Sequence, residues 1–109
     1  MKIATWNVNS LKVRLPHVLD WLASEKPDAL CLQETKMEDK VFPYAEIEAA
    51  GYRAVHNGQK TYNGVAWLAR HEMGDVHFDL PNFDDPQKRI VAVTISGTPY
   101  SILNLLPDG

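Results

Sequence analysis

Three side chains early in the chain carry hard oxygen donors at the ends of apolar runs. Asn7 and Asn9 close Lys2-Ile-Ala-Thr-Trp-Asn7-Val-Asn9, and Glu34 follows Asp28-Ala-Leu-Cys-Leu-Gln33. Carboxylate and amide oxygens suit Mg²⁺ or Mn²⁺ and do not suit zinc. The same residue types also form turns and solvated loop ends, so spacing alone leaves both readings open.

The elements that must position these groups can be read from periodicity. Ala29-Leu-Cys-Leu is a short apolar run opened by Pro27-Asp28, the pattern of a strand buried on both faces. The run from Lys2 to Asn9 reads as a second strand. Between them Leu15, Val18, Leu19 and Leu22 recur at helical spacing, with Asn9 or Ser10 as a cap. Pro16 is tolerated in a first turn, so the helix is expected to begin near Leu15 and end before Pro27. A crossover of that length leaves the two strands parallel, bringing Asn7, Asn9 and Glu34 to one sheet edge, where open α/β folds bind ligands.

Further along, Phe42 to Ala50 predicts a short helix with Pro43 in its first turn and Gly51 as its stop. Tyr52 to His56 and Gly64 to Ala69 read as paired strands, with Asn57-Gly58 as a turn signal. Their connection carries Lys60, Tyr62 and Asn63, and a tyrosine there does little for stability unless it covers a core edge. Asp75 to Leu80 reads as a short strand and Pro81 to Lys88 as a loop holding Asp84 and Asp85. Arg89 to Ile95 and Tyr100 to Leu106 form a last hairpin. The order β-α-β-α followed by several strands predicts an α/β fold, or α+β, with a mixed sheet and flanking helices.

At 109 residues the chain suits one modest domain, and 45% hydrophobic with 23% charged residues is ordinary globular composition. A formal net charge of −3 provides no overall basic field, so a nucleic-acid surface would have to be a local patch. The single cysteine, Cys31, lies in the proposed buried strand and reads as a structural thiol in a reducing compartment. There is no signal-peptide pattern and no long apolar span, so the expected location is cytoplasmic, without a membrane partner.

Trp6-Asn7-Val-Asn9-Ser10, Leu32-Gln33-Glu34-Thr35-Lys36, Lys60-Thr-Tyr62-Asn-Gly64-Val-Ala66 and Gln87-Lys-Arg89-Ile-Val follow one another in the order and spacing of a known family. Together they resemble the exonuclease III family of Mg²⁺-dependent apurinic/apyrimidinic endonucleases, in the endonuclease/exonuclease/phosphatase superfamily. The resemblance runs from Met1 to about Asn104. It implies half of a four-layer α/β sandwich, phosphodiester hydrolysis at abasic sites or 3′-to-5′ exonuclease action in DNA repair, Mg²⁺ (or Mn²⁺) as cofactor, and double-stranded DNA as partner. Residue by residue, it implies Glu34 and Asn7 as catalytic groups and Glu34, Asn7 and Asn9 around the metal. It implies Lys36, Lys60, Tyr62, Asn63, Arg89 and Asn104 on the substrate.

The ending departs from the family pattern. Asn104-Leu-Leu-Pro-Asp-Gly109 has leucine where an active-site tyrosine is expected, and the family's later Asp-x-Asn motif and closing Asp-His pair have no counterpart. His17, His56, His71 and His77 stand in the wrong context to replace them. Residues 1–109 are therefore expected to be one partial domain, the N-terminal half of such a nuclease, inactive or nearly so alone. About one sheet is expected, its face with Val65, Trp67, Ile90, Ala92 and Ile102 left open to water and available for the missing half or for self-association. The alternatives are a non-catalytic binding or self-assembling half-domain, and a small-substrate phosphoesterase of the same superfamily.

Overall fold

In the computed structural model, which describes residues 2–58, 63–77, 90–95 and 97–103, Ala29–Gln33 forms the strand with an apolar layer on each side. The opening unit is strand β1 (Ile3–Asn7), helix α1 (Leu11–Glu25) and this strand, β2. A 3₁₀ turn (Asp39–Val41) and helix α2 (Tyr44–Ala49) lead to β3 (Arg53–Asn57) and β4 (Val65–Ala69). Three further strands follow: β5 (Met73–His77), β6 (Ile90–Ile95) and β7 (Thr98–Leu103). The first four strands make a mixed sheet in the order β1-β2-β4-β3, and the last three an antiparallel sheet in the order β5-β6-β7. The architecture is α/β, with β1 and β2 parallel as the crossover requires.

Alternation along the strands divides the core into two. Leu30 and Leu32 of β2, with Ala66 and Leu68 of β4, pack under the helices against Leu11, Val18, Leu22, Phe42 and Ile47. Ala29, Cys31, Val65, Trp67 and Ala69 point the other way and pack against Ile95 of the second sheet. The expected single sheet with an open face is thus corrected. Val65 and Trp67 are 0% and 2% exposed, because β6 brings Ile95 onto that face. The side chains of Ile90, Ala92 and Ile102 lie outside the described set.

Helix α1 also differs from expectation. It starts at Leu11, one turn earlier, and places Pro16 in its interior. A proline there removes a helical hydrogen bond and crowds the carbonyl four residues back, at a cost of about 3 kcal/mol. Burial of Leu11, Val18 and Leu22 offsets that cost. Ser10 occupies the cap position without a side-chain capping bond. Pro43 precedes α2 rather than lying in its first turn, and Gly51 follows that helix at φ +92°. The loop expected at 81–88 lies outside the described residues.

Register sets the site. Asn7 stands opposite Gln33, and both Gln33 and Asn57 stand opposite Val65, so one row crosses the sheet from β1 to β3. Everything following Asn7, Gln33 and Asn57, and everything preceding Val65, meets at this edge. At the other edge Asp28 accepts hydrogen bonds from the Lys2 backbone (2.7 Å), His71 (2.8 Å) and Arg70 (3.1 Å), which hold its carboxyl well below the usual carboxylate range.

Candidate functional site

The loops at the shared edge are joined by backbone hydrogen bonds that continue the ladder past the strand ends. Val8 donates to the Gln33 carbonyl, Ser10 to Glu34 and Leu11 to Thr35, at 3.0, 2.9 and 3.0 Å. On the other side Thr35 donates to Gly64 (3.2 Å) and Lys36 to Asn63 (2.7 Å). Residues 34–36 are therefore clamped between the segment after β1 and the segment before β4.

This clamped backbone is bent. Asn9, Ser10, Glu34, Lys36 and Asn63 all have positive φ, at 44°, 97°, 55°, 56° and 55°. Left-handed backbone costs a residue other than glycine roughly 1–2 kcal/mol, and such residues persist where surrounding contacts over-determine them. The bend at Glu34 has a direct consequence. In a continued strand its side chain would alternate onto the helix face with Leu30 and Leu32. With φ at 55° its carboxylate instead meets Asn7, whose Nδ2 donates to Glu34 Oε2.

The Asn7 amide is fixed at both ends, since its Oδ1 accepts from the Asn9 backbone N–H at 3.1 Å. Only this orientation serves a carboxylate and an N–H donor together. Lys36 Nζ donates to Asn9 Oδ1 at 2.5 Å. Asn7, Asn9, Glu34 and Lys36 thus form one exposed or half-exposed constellation, with Asn63 buried beside it. Lys60, Tyr62, Arg89 and Asn104 lie outside the described residues.

Glu34 is the one carboxylate of this constellation and the amides add oxygen without further negative charge, donors that could serve a hard divalent cation keeping much of its water. No group of three His, Cys, Asp or Glu that could hold a metal occurs among the described residues. Alongside, the start of α1 and residues 36–43 enclose a groove of about 590 Å³. Lys12, Lys36, Lys40 and Glu38 line it together with Leu11, Leu15 and Val41, and most of its surface is apolar. Lys40 also pairs with Glu38 at 3.4 Å on the surface.

Sequence reasoning missed what lies beneath. Thr35 is fully buried, and its Oγ1 is 2.7 Å from His56 Nε2. His56, set aside above for its context, stacks on Phe42 with ring centroids 4.2 Å apart, and its Nδ1 lies 2.7 Å from Asp39 Oδ1. That last approach is close but falls outside hydrogen-bond geometry, so it acts chiefly through charge. Burial lowers the imidazole pKa to about 4 against the opposing pull of Asp39. Two glycines make room for this pair. A Cβ on Gly64 would stand 2.1 Å from Thr35 Oγ1, and one on Gly58 would stand 2.3 Å from His56 Cε1 and 2.2 Å from the Met37 carbonyl oxygen.

Residues 4–106 match the endonuclease/exonuclease/phosphatase family. The chain belongs to that family, in its exonuclease III and AP endonuclease branch. It is 36% identical over 108 residues to exodeoxyribonuclease III of Haemophilus influenzae, covering 97% of this chain and 40% of that one. A 3′ phosphatase from Neisseria, solved bound to a product DNA hairpin, is 54% identical with a TM-score of 0.88, covering 91% of this chain and 39% of that one. An AP endonuclease from Archaeoglobus fulgidus is 44% identical with a TM-score of 0.83, covering 89% and 38%. The chain therefore spans about two fifths of the length of these relatives.

Proposed function

We propose that this chain supplies the metal- and phosphate-holding part of a DNA-repair nuclease, acting by Mg²⁺-dependent phosphodiester hydrolysis at abasic sites, at 3′ ends, or both. The observation that carries the reading is the contact between Asn7 and Glu34 at the common strand edge, with Lys36 next to it. Glu34 would hold the cation, with Asn7 and Asn9 beside it. The bound cation would neutralise charge building on the phosphoryl and leaving oxygens. Asn7 keeps the carboxylate aimed outward, and Asn63 holds the Lys36 backbone in its bend. Lys36 and the lysine-lined groove would track a sugar-phosphate backbone, positioning it without reading sequence. Lys60, Tyr62, Arg89 and Asn104 would complete that track.

Hydrolysis also needs a group to orient the attacking water. We assign that role to a group outside the exposed constellation, reading residues 1–109 as the N-terminal half of such a nuclease domain on the strength of the two fifths of its relatives' length that the chain spans. A cytoplasmic location accords with the free, buried Cys31. Among the described residues no helix is long and apolar enough to cross a membrane.

The test is cleavage of an abasic-site duplex with Mg²⁺, by this chain alone and after adding the C-terminal portion of a close relative. The expected result is little cleavage alone, cleavage on reconstitution, and a loss of at least about 100-fold on Glu34→Gln. Undiminished cleavage by the reconstituted Glu34→Gln protein would remove Glu34 from the site. Turnover of small phosphate esters with abasic DNA left intact would overturn the DNA assignment.

A further inference from the structure

The buried group under the strand edge is built as carefully as the exposed one. Thr35 sits between the two left-handed residues Glu34 and Lys36, and both of its backbone polar groups are engaged, N–H to Gly64 and carbonyl from Leu11. Its side chain alone reaches into the core, to His56. Asp39 Oδ1, facing the far side of that ring, also accepts the Gly58 N–H at 3.0 Å. Gly58 is the last described residue before the segment carrying Lys60 and Tyr62.

The donor order follows from the atoms. A Thr35 hydroxyl donating to Nε2 leaves the hydrogen of a neutral imidazole on Nδ1, facing the Asp39 carboxylate. Hydroxyl, imidazole and carboxylate in that order make up a nucleophile triad in other enzymes. Here the hydroxyl is fully buried, so no substrate can reach it. What the arrangement can do is fix a backbone. A lone threonine in the same place would bury an unpaired hydroxyl; paired with His56, it has one position in which to sit.

We propose that the buried Thr35–His56 pair, with the exposed Asp39 carboxylate set against the far side of the ring, forms a positioning relay that holds residues 34–36 in their left-handed bends and so keeps the Glu34 carboxylate and Lys36 ammonium presented at the sheet edge. The proposal rests on the reading of Glu34 as the cation ligand. His56 is a positioning residue and touches neither cation nor substrate. Gly58 and Gly64 belong to the relay because a side chain at either would collide with one of its members. Groups that orient a ligand from behind typically change metal affinity by 10–100-fold when removed.

The experiment uses the whole 109-residue chain, with Mn²⁺ as the probe and amide hydrogen exchange as a metal-free readout. His56→Phe keeps the ring stacked on Phe42 and deletes both nitrogens, His56→Gln places an amide where Nε2 lies, and Thr35→Val removes the hydroxyl at nearly constant shape. The expected result is Mn²⁺ affinity about tenfold weaker for His56→Phe and Thr35→Val, with recovery to within about threefold for His56→Gln. In the metal-free protein the Lys36 amide, bonded to Asn63, should exchange about tenfold faster in the first two variants, with Trp67 and Leu68 amides unchanged.

Wild-type affinity and Lys36 protection in either His56→Phe or Thr35→Val would overturn the relay. So would equal losses in His56→Gln and His56→Phe, because a role in volume alone does not depend on the nitrogen. Glu34→Gln separates the two readings, since it should abolish Mn²⁺ binding and leave Lys36 protection intact. If Glu34→Gln binds Mn²⁺ normally, the ligand assignment falls while the exchange data still judge the relay.

Discussion

Asn7 shows how one side chain can fix the character of a site. Its amide donates to Glu34 without adding charge, so a single carboxylate stands ready beside a lysine. Asn7→Asp would set two carboxylates in contact, and like charges at that distance resist ionising together. The expected outcome is a metal-free protein about 1 kcal/mol less stable at neutral pH, with the difference reversed by millimolar Mg²⁺, read from urea midpoints. His56 yields a second expectation. Its folded pKa of about 4 lies below the ordinary 6.5, so between those values the unfolded chain binds the extra proton and stability rises with pH. The stabilisation is complete above about pH 6.5 and lost as pH falls toward 4. Denaturation midpoints across that window should flatten in His56→Gln, with Asp39 left as the neighbouring titratable group.

At the scale of elements, helix α1 carries a defect that its packing outweighs. Pro16 is exposed and interior to the helix, while Leu11, Val18 and Leu22 are buried below it. Pro16→Ala should therefore stabilise the chain by about 1 to 3 kcal/mol, the regained helical bond exceeding the extra freedom of the unfolded chain, measurable as a raised Tm. The apolar spacing of Leu15, Val18, Leu19 and Leu22 showed where the helix lies. Pro16 alone points to a start near Leu15, whereas the ladder bonds from Ser10 to Glu34 and from Leu11 to Thr35 set the helix origin one turn earlier. Similarly, β3 ends at Asn57 rather than His56, because Asn57 pairs across to Val65 in the row that defines the site.

For the molecule as a whole, the second sheet changes what is expected of the surface. Trp67 of β4 packs against the layer that includes Ile95, so the part of the expected open face around Val65 and Trp67 is interior. Trp67→Ala should cost about 3 to 5 kcal/mol by urea unfolding, whereas a tryptophan on an open face would cost little. A wild-type midpoint in that variant would show the two sheets do not pack as described. The groove beside the strand edge draws its lysines from α1, the strand-end turn and the 3₁₀ segment together.

The order of elements, the parallel pairing of β1 with β2, and the meeting of Asn7, Asn9 and Glu34 were all legible from the sequence. Each rests on periodicity and on a crossover rule acting over a few tens of residues. Family membership was legible too, from four short motifs in one order. What tertiary structure alone decided were the contacts whose partners share no local pattern. Thr35 reaches His56 across 21 positions, Ile95 covers Trp67 from another sheet, and left-handed bends turn Glu34 and Lys36 toward their partners. A hydroxyl and an imidazole do not announce each other in a sequence. Only the packed backbone, with Gly58 and Gly64 standing aside, puts them within a hydrogen bond.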